Sequence, residues 1–573
     1  MRARTAAMTS HARAFLPSRG DYAGMGTTWR GDVLAGITVG IVALPLALAF
    51  GVSSGVGAAA GLVTAVVAGA VAAVMGGSHV QVSGPTGAMV VVLAPIVASH
   101  GAGSVALLTL MAGAVVLAIG LLRLGRAIAY IPWPVVEGFT LGIGSIIFLQ
   151  QVPLATGTSS IPGVNTAVAA WQAAASATLP TAAATLGVVA AVAALMVLLP
   201  RIRSGIPASL IAILLATVAA ELMRLDIPRI GALPSSLAAP VLPAATPQLV
   251  ADLAGPAVAV AVLAAIESLL SARVASGLNG PDGSSTGPYQ PDRELTGQGL
   301  ASIAAGLFGG MPATGAIART AVNVRSGARS RLAAIVHALL LLLVVYAGAA
   351  LVARIPLAAL AGILMVTATR MVSRHTVSSI LRSSRADATQ FVVTAVVTVA
   401  FDLIEAIQIG LVVAAFFALR GVAKLSGVRR EELPGDPVPG DERIAVFRLE
   451  GSMFFGASER ILREIESVRG IEVAVLRLSH LRMLDATGAK ALAEVVGSLE
   501  RRKVTVLIKG IQPQHARLAD TVGIIAALRH YKHRFDDLGA AIEHARDHVR
   551  RNREAETGAG PFGPPAAGGP EQL

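Results

Sequence analysis

The sequence predicts an α-helical polytopic membrane protein of about fourteen spanning segments, followed by a small α/β domain. Of the 573 residues, 54% are hydrophobic and 14% charged, with a mean hydropathy of +0.69; a soluble domain carries about 25% charge. Apolar runs recur from Val33 to Ala423, each near the roughly 20 helical residues that cross a hydrocarbon core of about 30 Å. Near Lys424 the composition turns charged and turn-rich, and strand-like and helix-like patterns then alternate.

Residues 1–30 are polar, with Arg2, Arg4, Arg13, Arg19 and Arg30, and read as a cytoplasmic arm rather than a cleavable signal. The spanning domain occupies 31–424. If the amino terminus is cytoplasmic, loops after even-numbered segments should be basic. They carry Arg123 and Arg126; Arg201 and Arg203; Arg273 and Arg293; Arg325, Arg329 and Arg331; Arg370, Arg374, Arg382 and Arg385. The other loops are nearly bare, with Arg224, Arg229 and Arg354 as exceptions. Much of the +12 net charge is thus orientation signal, and nucleic acid is not an expected partner. With no cysteine, disulfides, thiolate catalysis and Cys-based metal sites are excluded. No phosphate loop suggests ATP hydrolysis, and neither an enzyme activity nor a cofactor is expected.

Residues 425–441 read as a linker, 442–548 as the α/β domain and 549–573 as a Gly- and Pro-rich disordered tail. "RIAVFRLEG", "IEVAVLRLS" and "KVTVLIKG" are strand-like, whereas "SERILREIESV" and "ATGAKALAEVVGSLERR" are helix-like.

Inside the apolar region "GPTGA" (84–88) is echoed by "PATGA" (312–316), each a few residues after a Gly-Gly pair. A Pro-Gly interruption exposes backbone groups that lipid cannot satisfy, so protein or a water-filled cavity must surround it. Two in corresponding halves suggest an inverted repeat whose short helices start near the midplane, with free N–H groups and positive dipole ends aimed at a common anion site. The competing reading is chance, since Gly and Pro are common in membrane helices.

"GDVLAGITVGIVALPLALAFG", "VQVSGPTGAMVVVL", "GFTLGIGSIIFLQQ", "RELTGQGLASIAAGLFGGMPATGAIARTAVNVRSGARSRLA" and "FDLIEAIQIGLVVA" resemble the SulP family of anion permeases, and "RLSHLRMLDATGAKAL" resembles a STAS domain. The resemblance implies a uracil-permease-like fold, a seven-plus-seven inverted repeat (about 31–223 and 250–424) with a core domain moving against a gate domain. It also implies homodimers in the plasma (inner) membrane and transport of sulfate, bicarbonate, chloride or dicarboxylates.

Glu267 is the one acid in "VAVAVLAAIESLLSARV". A carboxylate there is costly unless protonated, paired or wet, so a functional role is the default and a helix-locking bond the alternative. The resemblance places an acid at this position near the substrate, tied to cation or proton coupling. Sodium-coupled relatives commonly carry Asp there and a hydroxyl two positions after the Gly of the second opening. Here those positions hold Glu267 and Ile317, which favours protons over sodium. Arg319 would supply positive charge and forked donors to an oxyanion, or else snorkel or pair with Glu267. Backbone N–H groups of Thr86, Gly87, Ala88, Gly315 and Ala316 are the expected ligands. The Thr86 and Thr314 hydroxyls either assist or cap their helices. Pro45 and Leu46 match the family's broken-helix region and are expected to line the site. Asp32, Asp402, Glu405 and Glu137 read as interfacial groups, and Trp133 with Tyr130 as an aromatic anchor.

In the STAS-like domain, Asp485 and Thr487 are candidate regulatory residues at a strand-to-helix turn, with helix capping the competing reading. The expected function is secondary anion transport, by proton symport. The alternatives are an uncoupled exchanger or channel, and a membrane-anchored sensor whose STAS domain binds a cytoplasmic protein.

Overall fold

The computed structural model describes residues 15–556 except 16, 23, 126–131, 159–163, 203–206, 282, 284, 372, 402–408, 410–411, 414, 418, 422–426, 454–464 and 466. Arg126, Tyr130, Arg203, Asp402, Glu405, most of "SERILREIESV" and the end of the tail lie outside the described residues. The chain divides into two compact units, residues 1–414 and 415–573.

In the first unit, seven helices among the described residues are long and apolar enough to cross a membrane, and three shorter apolar helices accompany them. The first half runs α1 (Met25–Ser53), α2 (Ala58–Met75), β1 (Ser83–Gly84), α3 (Gly87–His100), α4 (Ser104–Leu121), α5 (Trp133–Gln150), α6 (Leu179–Ile202) and α7 (Ala208–Leu222). Apart from the short helices Val152–Thr156 and Thr166–Ala175 in the first half and Ala349–Val352 in the second, the second repeats that order with α8 (Pro247–Ser276), α9 (Pro291–Leu307), β2 (Thr314–Gly315), α10 (Ile317–Arg325), α11 (Leu332–Ala347), α12 (Leu357–Met371), α13 (Arg374–Ser383) and α14 (Arg385–Ala400). Helix α1 begins inside the stretch read as the amino-terminal arm.

The helices sort into two packed groups. Helices α1–α4 pack with α8–α11, and α5–α7 pack with α12–α14; the groups meet where α1 touches α7 and α12 and α3 touches α5. Small residues make the first group tight. Along the α4–α9 crossing, a side chain on Gly113 would meet Ile303 N at 2.8 Å and one on Gly299 would meet Leu117 N at 2.5 Å. Lipid tails are as apolar as leucine, so close backbone approach replaces the hydrophobic effect as the source of helix association.

Gly61 is the sharpest case of backbone against backbone: a Cβ there would lie 2.1 Å from the Ala47 carbonyl oxygen of α1. Gly61→Val must push two backbones apart, at more than the about 1–3 kcal/mol of an overpacked side-chain core. Gly103→Ala meets nothing within 4 Å. Fluorescence-detected size exclusion and thermal melting are expected to show loss of monodisperse protein for Gly61→Val and an unchanged Gly103→Ala.

In the second unit a five-stranded sheet has the order β3 (Gly427–Glu431), β4 (Ile444–Met453), β5 (Val473–Leu484), β6 (Thr505–Lys509), β7 (Arg534–Phe535). Strand β3 is antiparallel to β4 and the other pairs are parallel. Alternation explains the two layers. Ala445, Phe447 and Leu449 join Leu492, Val495 and Val496 of α15 (Ala486–Arg501) and Ala519 of α16 (Pro513–Val522), whereas Ile444 and Val446 join Ala541, Ala545 and Val549 of α17 (Leu538–Glu556). Two expected boundaries move. The start of the linker is strand β3, and α17 runs to Glu556 because Val549 is still a core residue.

Candidate functional site

Strands β1 and β2 pair antiparallel, Ser83 with Gly315 and Gly84 with Thr314. This two-residue ladder joins the chain ahead of α3 to the chain ahead of α10 and brings both openings together, as the paired motifs suggested. Gly84, at φ +155°, leaves room for Arg319, whose Nη1 would lie 2.8 Å from a Cβ there; a Cβ on Gly315 would lie 1.7 Å from Gln81 Nε2. Helix α3 starts from an extended Thr86 and α10 from an extended Ala316, and neither has a side-chain cap. Among the described residues, the N–H groups of both first turns have no side-chain cap and are available to another acceptor.

Glu267, on α8, stands across these openings. Thr86 Oγ1 donates to Glu267 Oε2 at 2.8 Å and Thr314 Oγ1 donates to the same oxygen at 2.9 Å, with the two hydroxyls 3.1 Å apart. The Thr86 hydroxyl thus bonds the acid instead of capping α3. One side chain from the second repeat holds a residue from each opening.

Gly315 and Ala316 depart from the expected ligand set. Gly315 N–H donates to Ser268 Oγ of α8 at 3.1 Å, and Ala316 N–H continues the ladder to the Val82 carbonyl at 2.9 Å. Gly87, Ala88 and the first turn of α10 at Ile317 carry the open donors. Pro45 does not break its helix: α1 is continuous through Pro45 and Leu46, with Pro45 buried and Leu46 half-buried.

Arg319 neither snorkels nor forms an ion pair with Glu267. It is 2% exposed and Nη2 donates to the Pro85 carbonyl at 2.6 Å, holding the approach to α3 from the opposite repeat. Nη1 is buried without a hydrogen-bond partner among the described residues, as are both amide atoms of Gln81. The Arg319 charge remains within electrostatic reach of Glu267.

Sequence reasoning missed the polar groups behind the ladder. Glu294 of α9 accepts from Gly77 N–H at 2.8 Å and Ser78 N–H at 2.9 Å, while Gln298 Nε2 donates to both Glu294 and Ser83. Thr320 Oγ1 accepts from Val82 N–H. The signal was present: polar residues at Glu294, Gln298 and Thr320 between apolar spans demand partners. Asp32 is fully buried rather than interfacial, accepting from the N–H groups of Arg329 and Ser330 and from the Ser330 hydroxyl. Arg293 and Arg331, read as loop charges, are buried around Asp21, with Arg293 Nη1 2.9 Å and Arg331 Nη2 3.8 Å from its carboxylate. Glu137 accepts from Trp133 Nε1 at 3.0 Å.

In the second unit, Asp485 Oδ1 accepts from Gly488 N–H at 2.7 Å, the helix cap that competed with a regulatory role. Thr487 is exposed on the first turn of α15.

A polytopic helical domain with paired repeats, half-helix openings facing one another and an acid between them defines a membrane transporter. The chain belongs to the sulfate permease family, whose model matches residues 29–394, and a STAS domain matches residues 437–539. It is similar to the putative sulfate transporter YvdB of Bacillus subtilis, with 32% identity over 88% of this chain and 96% of that one. It is likewise similar to the bicarbonate transporter BicA of Synechocystis, with 31% identity over 90% and 94%. The solved structure of SLC26A9 shares the fold, with a TM-score of 0.81 at 16% identity over 96% of each chain. The protein is accordingly a multi-pass anion transporter and not an enzyme.

Proposed function

We propose that the protein is a proton-coupled symporter of a small oxyanion, of the sulfate, bicarbonate or dicarboxylate class. The observation that carries this reading is Glu267, held through Thr86 and Thr314 to both half-helix openings. The open N–H groups at Gly87, Ala88 and Ile317 bind the anion, with Arg319 adding positive field. Co-binding a proton removes the cost of leaving either charge alone in low dielectric. Alternating access is of the elevator type, the α1–α4 and α8–α11 group carrying the site past the other, which the separate packing of the two groups supports. The protein acts as a homodimer in the plasma membrane, with its amino terminus and STAS domain in the cytoplasm.

The test is uptake of labelled sulfate, bicarbonate and succinate into proteoliposomes, with and without an inward proton gradient. Accumulation of one of them only with the gradient is expected. Uptake that equilibrates without responding to it makes the protein an uncoupled exchanger or channel.

The STAS domain is proposed to serve dimer contact or regulation, through Asp485 and Thr487 or a cytoplasmic protein. Because β3 belongs to its sheet, the cut that separates the units falls before Gly427. Removing residues 427–573 is expected to leave anion affinity within about twofold of the full chain while lowering transport rate or yield. Loss of binding in a monodisperse truncated protein contradicts the modular arrangement.

A further inference from the structure

The geometry points to Thr86 and Thr314 as shared proton donors that link anion binding to proton binding, an inference that rests on the symport reading above and names its device. Each hydroxyl carries a single proton. In this structure Thr86 donates its proton to Glu267 Oε2, and the Thr314 hydroxyl, 2.9 Å from the same oxygen, has the Thr86 hydroxyl as its second acceptor at 3.1 Å. Thr86 is the N-cap of α3, a position whose hydroxyl ordinarily accepts from an N–H two or three residues on; here it is turned to the acid and those N–H groups are open. An anion seated on the first turn of α3 therefore lies beside the Thr86 hydroxyl and presents a competing acceptor. Hydrogen bonds to an ionised acceptor are about twice as strong as neutral ones, so the hydroxyl protons follow the negative charge.

With Glu267 ionised, both hydroxyls are committed to it and turn lone pairs toward the anion seat. When a proton from solvent adds to the carboxylate, forming an O–H bond and breaking none, the acid becomes a weak acceptor and the hydroxyls rotate to the anion. Proton and anion then favour one another through two side chains that never change protonation. Among the elements packed on α8, α10 brings Arg319, the charge that acts on Glu267, and Arg325 at its far end. Helix α9 brings Asp292, Arg293 and Glu294, bonded respectively to Gly125, to Asp21 and to Gly77 and Ser78. Helix α3 has His100 at its far end, α4 and β2 carry no titratable residue, and Asp252 and Arg273 lie toward the ends of α8 itself.

The experiment measures equilibrium binding of labelled sulfate, bicarbonate and succinate to full-length protein in nanodiscs across pH. Wild type, T86V/T314V, T86S/T314S and both Val changes in an E267Q background are compared. Wild type is expected to bind one probe more tightly at low pH. T86V/T314V should lose about tenfold or more in affinity at low pH, where the hydroxyls serve the anion, and little at high pH, where Glu267 already holds them. The Ser pair should restore the low-pH affinity, and in E267Q the Val changes should cost the same factor at every pH. If the double variant does not purify as monodisperse protein, T86V alone carries the comparison. Equal losses at both pH limits would mean that the threonines are plain ligands or structural groups, and would overturn this inference alone. Wild-type binding that is absent, or that does not depend on pH, overturns the symport reading and this inference with it.

Discussion

Glu267→Gln protein is expected to bind and exchange the anion in proteoliposomes yet to lose its accumulation when an inward pH step is imposed. The amide is close in shape to the acid and, like the protonated acid, is a weaker acceptor for the Thr86 and Thr314 hydroxyls, which lie 2.8 and 2.9 Å from Oε2, while the β1–β2 ladder keeps the openings joined. It neither gains nor loses a proton, so it resembles the protonated acid at both membrane faces. One pH unit is worth 1.36 kcal/mol, so a one-unit step drives at most about tenfold accumulation for each proton carried. Wild type should approach that factor and the variant should stay at equilibrium. Uptake of the labelled anion with and without the step, beside counterflow exchange, separates the outcomes. A variant that still concentrates its substrate assigns the coupling proton elsewhere and leaves Glu267 a structural acid.

The spanning segments were legible because a bilayer imposes one rule on the whole chain: every backbone polar group needs a partner, so apolar residues must come in helix-length runs. The half-helix openings were legible for the complementary reason, since Pro and Gly at Pro85, Gly87 and Pro312 break that rule where lipid cannot be present. The β1–β2 ladder was not, because Ser83, Gly84, Thr314 and Gly315 are too short a run to show a period. That missing pair is why Ala316 was expected to be a free donor, whereas the Gly315 N–H is taken by the Ser268 hydroxyl of α8. Asp32 looked interfacial from its place near the start of a segment, yet its partners at Arg329 and Ser330 are supplied by the opposite repeat. Strand β3, "GVRRE", was hidden in the linker because an edge strand needs few apolar residues. Pro45 shows the reverse error: it costs α1 a hydrogen bond, but the helix continues through it, with Ala43 and Ala47 buried in the same turn.

Arg319→Gln is expected to weaken anion binding by roughly one to two orders of magnitude, the worth of a charge-assisted interaction of about 1.5–3 kcal/mol. Two contributions are lost together. One is the charge, buried at 2% exposure among groups that screen it poorly. The other is the bond from Nη2 to the Pro85 carbonyl, which sets the approach of the chain to α3. Arg319→Lys separates them. A lysine keeps the charge and can make the single bond that Pro85 receives, but it cannot reproduce a planar fork. If Arg319 acts through its field and its hold on Pro85, lysine retains affinity to within several-fold while glutamine does not. If Nη1 is a direct fork to the anion, lysine fails nearly as badly as glutamine. Equilibrium binding to monodisperse protein, with melting temperatures to register the loss at Pro85, decides between these. Unchanged affinity in a folded Arg319→Gln variant takes Arg319 out of the site altogether and leaves the two helix amino termini as its source of positive potential.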